Sequence, residues 1–436
     1  MGGPSDHAII AGGANALPAG KLFVRERGLN MAAIPTEKPS FGVLDDVKVV
    51  FAAMEEAIPR ACNIMADWGA DVTWLENTGY GDTVRDAKNA AQAERRNCRS
   101  VALNQFTPEG KEVLLKMLKD TDIFFESSKG GTWERKGFTD EDMWAVNPKL
   151  IIVHCSGYGK FGDPDRVKRP AYDGTVGPYA GYTCQNGTPE QPMITMPYSG
   201  DYINSYLLIA ATLAALRKAD RTGEGESIDW AMYEGIMYMS QYYLVDFLND
   251  GIKWPRAGAR NQNLCGIGVY KCADGFIALN LFGIRQNKWI IEELGLGDQW
   301  GTPDLPEDTA SLWLSMPIAE EFEKRLEAWL LERTKLELEA ILAEHAIAAQ
   351  SVYEFEDMVA DEHMKMRGNF VEWETKDGET FKGLSPMPRF EQTPGKIWRP
   401  MPAQGGDTMD VLTKLGYTPE EVEALAEKNV VKIGEN

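Results

Sequence analysis

From residue 47 to residue 154 the chain alternates short β-rich runs with helical ones, and that alternation narrows the fold more than any other feature. Residues 47–51 read as a strand, 61–68 as a helix and 71–75 as the next strand. A helix follows at 111–119, then strands at 123–126 and 150–154. Strands that recur with helices between them run in one direction, because each helix carries the chain back across the sheet. The expected fold is α/β, built on a large Rossmann-like parallel-sheet domain.

The pattern changes further on. A helical stretch at 230–248 follows a long helix that begins near Asp201. Residues 269–279 read as a hairpin with its turn at 273–275, and acidic helices follow at 319–331 and 335–345. Residues 39–249 are read as the first part of the large domain, 250–335 as a smaller α+β domain, and 336–436 as a return to the large one. In the returning segment, Thr418-Pro419-Glu420-Glu421 starts a helix with Thr as cap, Pro in the first turn and Glu at N3. Residues 1–38, Gly/Ala-rich with Pro4 and Pro18, are read as a tail or arm, with Met31 as an alternative start.

Charge excludes some partners. The chain has 45 Lys+Arg against 66 Asp+Glu, a formal net charge of −21. Such a surface disfavours nonspecific binding to nucleic acid or to an anionic membrane. No run of 18 apolar residues is present, so no membrane span is expected. Six cysteines form no close CxxC pair, and four His are too scattered to complete a metal site. Reduced thiols, a cytoplasmic location and no metal are the expectation.

One carboxylate stands out. Asp201, in Ser199-Gly200-Asp201-Tyr202, opens a helix whose residues 203–216 are apolar on almost every side. A helix of that kind is usually buried, which brings the charge toward the interior. Asp is a preferred N-cap, and a helix terminus also holds a carboxylate ionised and aimed at an electrophile. The two roles are compatible, and Asp201 is the candidate nucleophile.

Gly157-x-Gly159-x-x-Gly162 follows the strand at 150–154 and imitates a dinucleotide fingerprint. The fingerprint needs a helix at once, to hold a pyrophosphate on its N-terminus. Here Asp163-Pro164-Asp165-Arg166-Val167-Lys168-Arg169-Pro170 follows, a poor helix, so a nicotinamide oxidoreductase is disfavoured. Three basic groups remain: Arg95-Arg96-Asn97-Cys98-Arg99, then Lys129 in Glu126-Ser127-Ser128-Lys129-Gly130-Gly131, then Arg135-Lys136. Each alone fits a solvated surface. Together Arg96, Arg99, Lys129, Arg135 and Lys136 suit a ligand with several phosphates, such as coenzyme A. Lys129 follows a strand, where an α/β fold binds phosphate.

From about residue 41 to the C-terminus the chain resembles the family III CoA-transferases, and within them the L-carnitine CoA-transferase branch. The resemblance is carried by Trp68-Gly69-Ala70-Asp71-Val72, Gly81-Asp82-Thr83-Val84-Arg85, Arg95-Arg96-Asn97, Glu126-Ser127-Ser128-Lys129-Gly130 and Ser156-Gly157-Tyr158-Gly159. It continues in Tyr182-Thr183-Cys184-Gln185-Asn186-Gly187 and in 222–229. The runs Tyr270-Lys271-Cys272-Ala273-Asp274-Gly275 and Pro394-Gly395-Lys396-Ile397-Trp398-Arg399 are particularly like the carnitine branch. The resemblance implies an interlocked homodimer and reversible movement of CoA between small carboxylic acids. It puts the nucleophilic aspartate at Asp201 and phosphate contacts at Lys129 and Lys136. At the latter the carnitine enzymes have Arg, and Lys keeps the charge but loses the planar fork. Bile-acid CoA-transferases look similar too.

One departure touches the acyl pocket. The family's Ala-Gly-Pro after the first strand is Ala57-Ile58-Pro59 here, and Glu56 stands where some members carry a catalytically useful Gln. The expected chemistry is attack of Asp201 on an acyl-CoA carbonyl, through an aspartyl-acyl anhydride and an aspartyl-CoA thioester. CoA and acyl-CoA enter as substrates, and no prosthetic group is called for. Backbone donors would stabilise the oxyanions, with the loop at Gly266 and Gly268 as a candidate. A trimethylammonium acid would favour aromatic faces, with Tyr198 and Tyr202 as candidates. The alternatives are transfer to a bile acid or a 2-hydroxy acid, or a noncatalytic CoA-binding protein.

Overall fold

The computed structural model describes residues 34–194 and 198–436, together with the backbone of Val24–Arg25. In chain order its strands are β1 (Val24–Arg25), β2 (Lys48–Ala52), β3 (Asp71–Glu76), β4 (Cys98–Leu103) and β5 (Ile123–Glu126). Next come β6 (Ile151–Ser156), β7 (Glu226–Ala231), β8 (Ile267–Cys272) and β9 (Gly275–Asn280). The last are β10 (Ala348–Ser351), β11 (Phe370–Glu374), β12 (Thr380–Leu384) and β13 (Val431–Lys432).

The large sheet has the order β13-β4-β3-β2-β5-β6-β7. Its neighbours are parallel except for β13, which runs antiparallel to β4. The central strands are apolar on both faces, as a sheet covered on both sides requires. Val49 and Phe51 of β2 join Ile123 and Phe125 of β5 in the core beneath helices Ala57–Asp67 and Ser199–Thr222. Val50 and Phe124 point the other way, toward Pro108–Leu118 and the C-terminal helices Thr408–Lys414 and Pro419–Glu427. The C-terminal segment is tied in by Arg399, whose guanidinium lies 2.9 Å from Asp407, both fully buried.

Strand β2 lies between β3 and β5, and the chain winds away from it in both directions. That is a topological switch point, where loops at the carboxyl ends of the strands part and leave a crevice.

A second core lies on the antiparallel sheet β10-β9-β8. Its hairpin turns at Ala273-Asp274, with Cys272 paired to Gly275. Helices Ile284–Glu293, Ala319–Leu331 and Lys335–Glu344 cover it. A third small sheet joins β1, β11 and β12.

Two sequence readings need correction. The stretch at 230–248 is not one helix: Trp230 and Ala231 end strand β7, and helices Met232–Met239 and Gln241–Asp250 meet at Ser240. The Ser199–Thr222 helix is not buried all round either, since Tyr206 is 46% exposed and a polar stripe faces out near its C-terminal end.

Candidate active site

A cleft of about 500 Å³ opens at the switch point. Met54–Ile58 reach it from the end of β2, Ser127, Ser128 and Lys129 from the end of β5, and Ser156 and Gly157 from β6. Asp201 enters from the first turn of helix Ser199–Thr222.

Asp201 is not the cap of that helix. The cap position is Tyr198, in a left-handed conformation with φ 45°, and it makes no side-chain capping bond. Asp201 lies three residues inside, and no described residue donates to its carboxylate or pairs with it. The helix start is held by other groups. Ser205 donates from Oγ to the Ala57 carbonyl at 2.7 Å. Asn204, fully buried, donates to the Gly200 carbonyl at 2.8 Å and accepts from the Trp230 indole at 2.7 Å. Burial, and then the charges of Asp173, Glu55 and Glu94, push the Asp201 carboxyl up to about 7. A carboxylate near half-ionisation at neutral pH, free of strong donors, suits a nucleophile better than a cap.

The acidic neighbours are held deliberately. Glu55 adopts φ 61°, unusual for a residue with a side chain. Its N–H donates to Asp82 Oδ1 at 3.2 Å, and its carbonyl accepts from Arg95. Arg95 is fully buried and also meets Asp82 Oδ2 at 3.1 Å. This clamp turns Glu55 and Glu56 into the cleft. Glu56 meets Glu94, which accepts from the Tyr202 hydroxyl at 2.9 Å. Burial, then the hydrogen bond with Glu94 and its charge, raise the Glu56 carboxyl to about 9. Two carboxyls in contact away from water share one proton, so at neutral pH Glu56 is the neutral member.

The cleft is lined by cations as well. Lys129 and Arg169 line it, and neither is in an ion pair among the described residues. Tyr80 and Tyr172 line the cleft as well and are 71% and 68% exposed. Below the Ser127–Lys129 loop, His154 is buried between Glu126 and Asp140, at 2.8 Å from each. Burial opposes the charge on this ring, but the bonds to Asp140 and Glu126 outweigh it and lift the imidazole to about 9.

The residues singled out from the sequence do not all meet here. Asp201, Glu56 and Lys129 line the cleft. Arg135 supports it indirectly, donating to the Gly130 carbonyl at 3.2 Å. Lys136 is exposed, with its ammonium 5.8 Å from the Phe106 ring. Arg96 is buried against Asp67 at 2.6 Å, and Arg99 pairs with Asp71 at the opposite, amino end of the sheet. Tyr202 is fixed by Glu94 and lies 5.9 Å beneath the Arg60 guanidinium, while Tyr198 is 49% exposed. Gly266 receives Glu323 on its N–H at 2.7 Å and, like Gly268, lies in the small antiparallel unit rather than on this cleft. Reading the sequence missed Glu55, Glu94, Asp173, Tyr80, Tyr172 and Arg169. For Arg169 a signal existed: Lys168-Arg169 sits just after a strand–Gly loop. The Gly157–Gly162 motif is followed only by the single turn Pro164–Val167, too short for a pyrophosphate-binding helix.

A family model described as CoA-transferase family III matches residues 44–408. Solved structures share the fold. A CAIB/BAIF family protein from Brucella suis is 23% identical, with TM-score 0.69, over 86% of this chain and 100% of that one. The Rv3272 protein of Mycobacterium tuberculosis is 23% identical, with TM-score 0.72, over 85% of this chain and 99% of that one.

Proposed function

The chain belongs to CoA-transferase family III, and we propose that it exchanges CoA between small carboxylic acids with Asp201 as the nucleophile. The observation that carries the reading is the place of Asp201: desolvated, without a donor among the described residues, and inside a cleft at the switch point of a parallel sheet.

An Asp201 oxygen attacks the thioester carbonyl, the C–S bond breaks, and CoA leaves as the thiolate. The product is an aspartyl-acyl anhydride. The thiolate then attacks the aspartyl carbonyl, the C–O bond to the acyl group breaks, and the first acid departs as its carboxylate. The aspartyl-CoA thioester that remains is attacked by the incoming carboxylate, and the two steps run in reverse. No proton needs to move, because each nucleophile arrives charged. Partial desolvation raises the reactivity of the carboxylate, and proximity in the cleft supplies much of the rest.

The acyl end favours a cationic acid, such as carnitine, crotonobetaine or γ-butyrobetaine. Glu55 and Asp201 give that end negative potential, and the exposed faces of Tyr80 and Tyr172 suit a quaternary ammonium. We further take the working unit to be a homodimer. Helices Met232–Met239 and Gln241–Asp250 expose Tyr238, Tyr242 and Leu248 by 71%, 65% and 68%, an apolar face that a second copy would cover. A cytoplasmic location agrees with six unpaired cysteines.

The test is incubation with γ-butyrobetainyl-CoA and a panel of acids, with products followed by mass. Transfer to bile acids and to no betaine would defeat the substrate assignment. Hydroxylamine should convert the intermediate to a hydroxamate at Asp201, and labelling elsewhere rejects the nucleophile. Asp201→Asn should abolish turnover and keep CoA binding.

A further inference from the structure

Three ionisable residues stand in one row at the carboxyl end of the sheet. The register sets Glu126 of β5 beside His154 of β6, and His154 beside Asp229 of β7. One step back along the same face, Phe124 and Ile152 belong to an apolar core with Trp133 and Phe138. The face turns from apolar to charged where the strands end and the cleft loops begin.

His154 is 3% exposed, and its two ring nitrogens lie 2.8 Å from Glu126 Oε1 and 2.8 Å from Asp140 Oδ1. A carboxylate only accepts, so both nitrogens donate and the ring is an imidazolium. Lys160 closes the set. Its ammonium lies 2.9 Å from Glu134 and 3.8 Å from Asp140, and its N–H donates to both Asp229 oxygens, at 3.0 and 3.1 Å. Such a buried charge set adds little to stability, because desolvation offsets the attraction, and apolar side chains would fill the row as well. What it supplies is direction: a carboxylate fixed by an imidazolium keeps one orientation.

That orientation reaches the cleft through Glu126. The next three residues, Ser127, Ser128 and Lys129, line the cleft with Asp201. The Ser128 hydroxyl favours the charge on Glu126, and its oxygen accepts from the buried Trp133 indole at 3.1 Å. His154 itself lies beneath the loop and outside the lining.

We infer that His154 is a positioning residue, which acts through Glu126 and Ser128 to hold the Ser127–Lys129 loop where acyl-CoA meets it. The assignment rests on the CoA-transfer reading.

The experiment compares wild type, His154→Gln, Ser128→Ala and the double variant by urea unfolding, by the calorimetric Kd for CoA, and by kcat and KM for acyl-CoA at pH 7.5. His154→Gln should raise Kd and KM by about tenfold, with kcat changed by less than about threefold. Ser128→Ala should do part of the same. The double variant should be no worse than His154→Gln, because both substitutions cut one connection. A loss of stability with Kd and KM unchanged makes His154 a packing residue and overturns the proposal. So do two effects that multiply, or a fall in kcat at constant KM. If His154→Gln does not fold, wild type decides. CoA should then shift the ring resonances of His154, one of four histidines in the chain, and Ser128→Ala should reduce that shift. Ring signals indifferent to CoA overturn the proposal. Wild type that neither binds nor transfers CoA defeats the CoA-transfer reading and this assignment together. Transfer by wild type with His154→Gln unaffected defeats the assignment alone.

Discussion

Asp173→Asn should make the enzyme faster in mild acid. In the proposed mechanism Asp201 must be ionised to attack, and its carboxyl stands at about 7 rather than the ordinary 3.8. Those roughly three pH units correspond to about 4 kcal/mol against the charged form. Burial is the largest cause, and the charge of Asp173 comes first among the neighbours, ahead of Glu55 and Glu94. Asp173 accepts the Gly200 N–H, and Asn keeps an acceptor of the same shape there. The substitution therefore removes a charge without removing a bond. A like charge on a half-buried neighbour is worth about one pH unit, or ~1.4 kcal/mol, at an effective dielectric near 20. With the limb at about 7, roughly a tenth of wild type is ionised at pH 6. With the limb one unit lower, about half is. The variant should then show about fivefold higher kcat/KM at pH 6 and parity with wild type above pH 8. The assay is kcat/KM for acyl-CoA from pH 5 to 9, which reports the free enzyme. A limb that stays put, or moves to higher pH, refutes the electrostatic account of Asp201.

The same shift has a cost in stability. Because the folded carboxyl is raised, its contribution is complete below the unfolded value near 3.8 and is lost as pH rises through about 7. Asp201→Asn should therefore be more stable than wild type at pH 8, by at most ~4 kcal/mol, with the gap closing below about pH 4 in urea titrations. Equal stability at pH 8 would contradict it. Glu56→Gln keeps a donor toward Glu94 without a shared proton. It should retain transfer while losing any change in activity near pH 9, where wild-type Glu56 ionises. An alkaline limb that survives the substitution assigns that limb to another group.

How much of this was legible beforehand followed from how local each signal is. Strands β2, β5 and β6 are continuous apolar runs because both faces of the sheet are covered, so they stand out in the sequence. Strand β7 did not. It is an edge strand, half-buried, and reads Glu226-Ser227-Ile228-Asp229-Trp230-Ala231, so its period was lost in the helix that follows. Asp201 was found by its company and given the wrong local role, since its spacing fits a cap and only the backbone shows Tyr198 there. Arg96 and Arg99 looked like ligand residues because a run of basic residues is visible and its acidic partners are not. Asp67 and Asp71 lie far back in the chain, and the fold brings them together. The pairing of Glu56 with Glu94 is invisible for the same reason.

The polarity of the cleft explains why so acidic a chain can take a polyanionic substrate at all. Glu55 and Asp201 line the cleft and disfavour a phosphate beside the proposed nucleophile, while Lys129 and Arg169 add cations to the same lining. The acidic groups of the lining thus have two effects that pull in opposite directions: under the proposed function they favour a cationic acyl group, and they weaken the ionisation of Asp201 on which the proposed attack depends. The left-handed Glu55, clamped by Arg95 and Asp82, costs about 1–3 kcal/mol of backbone strain, which the buried ion pair around it must offset.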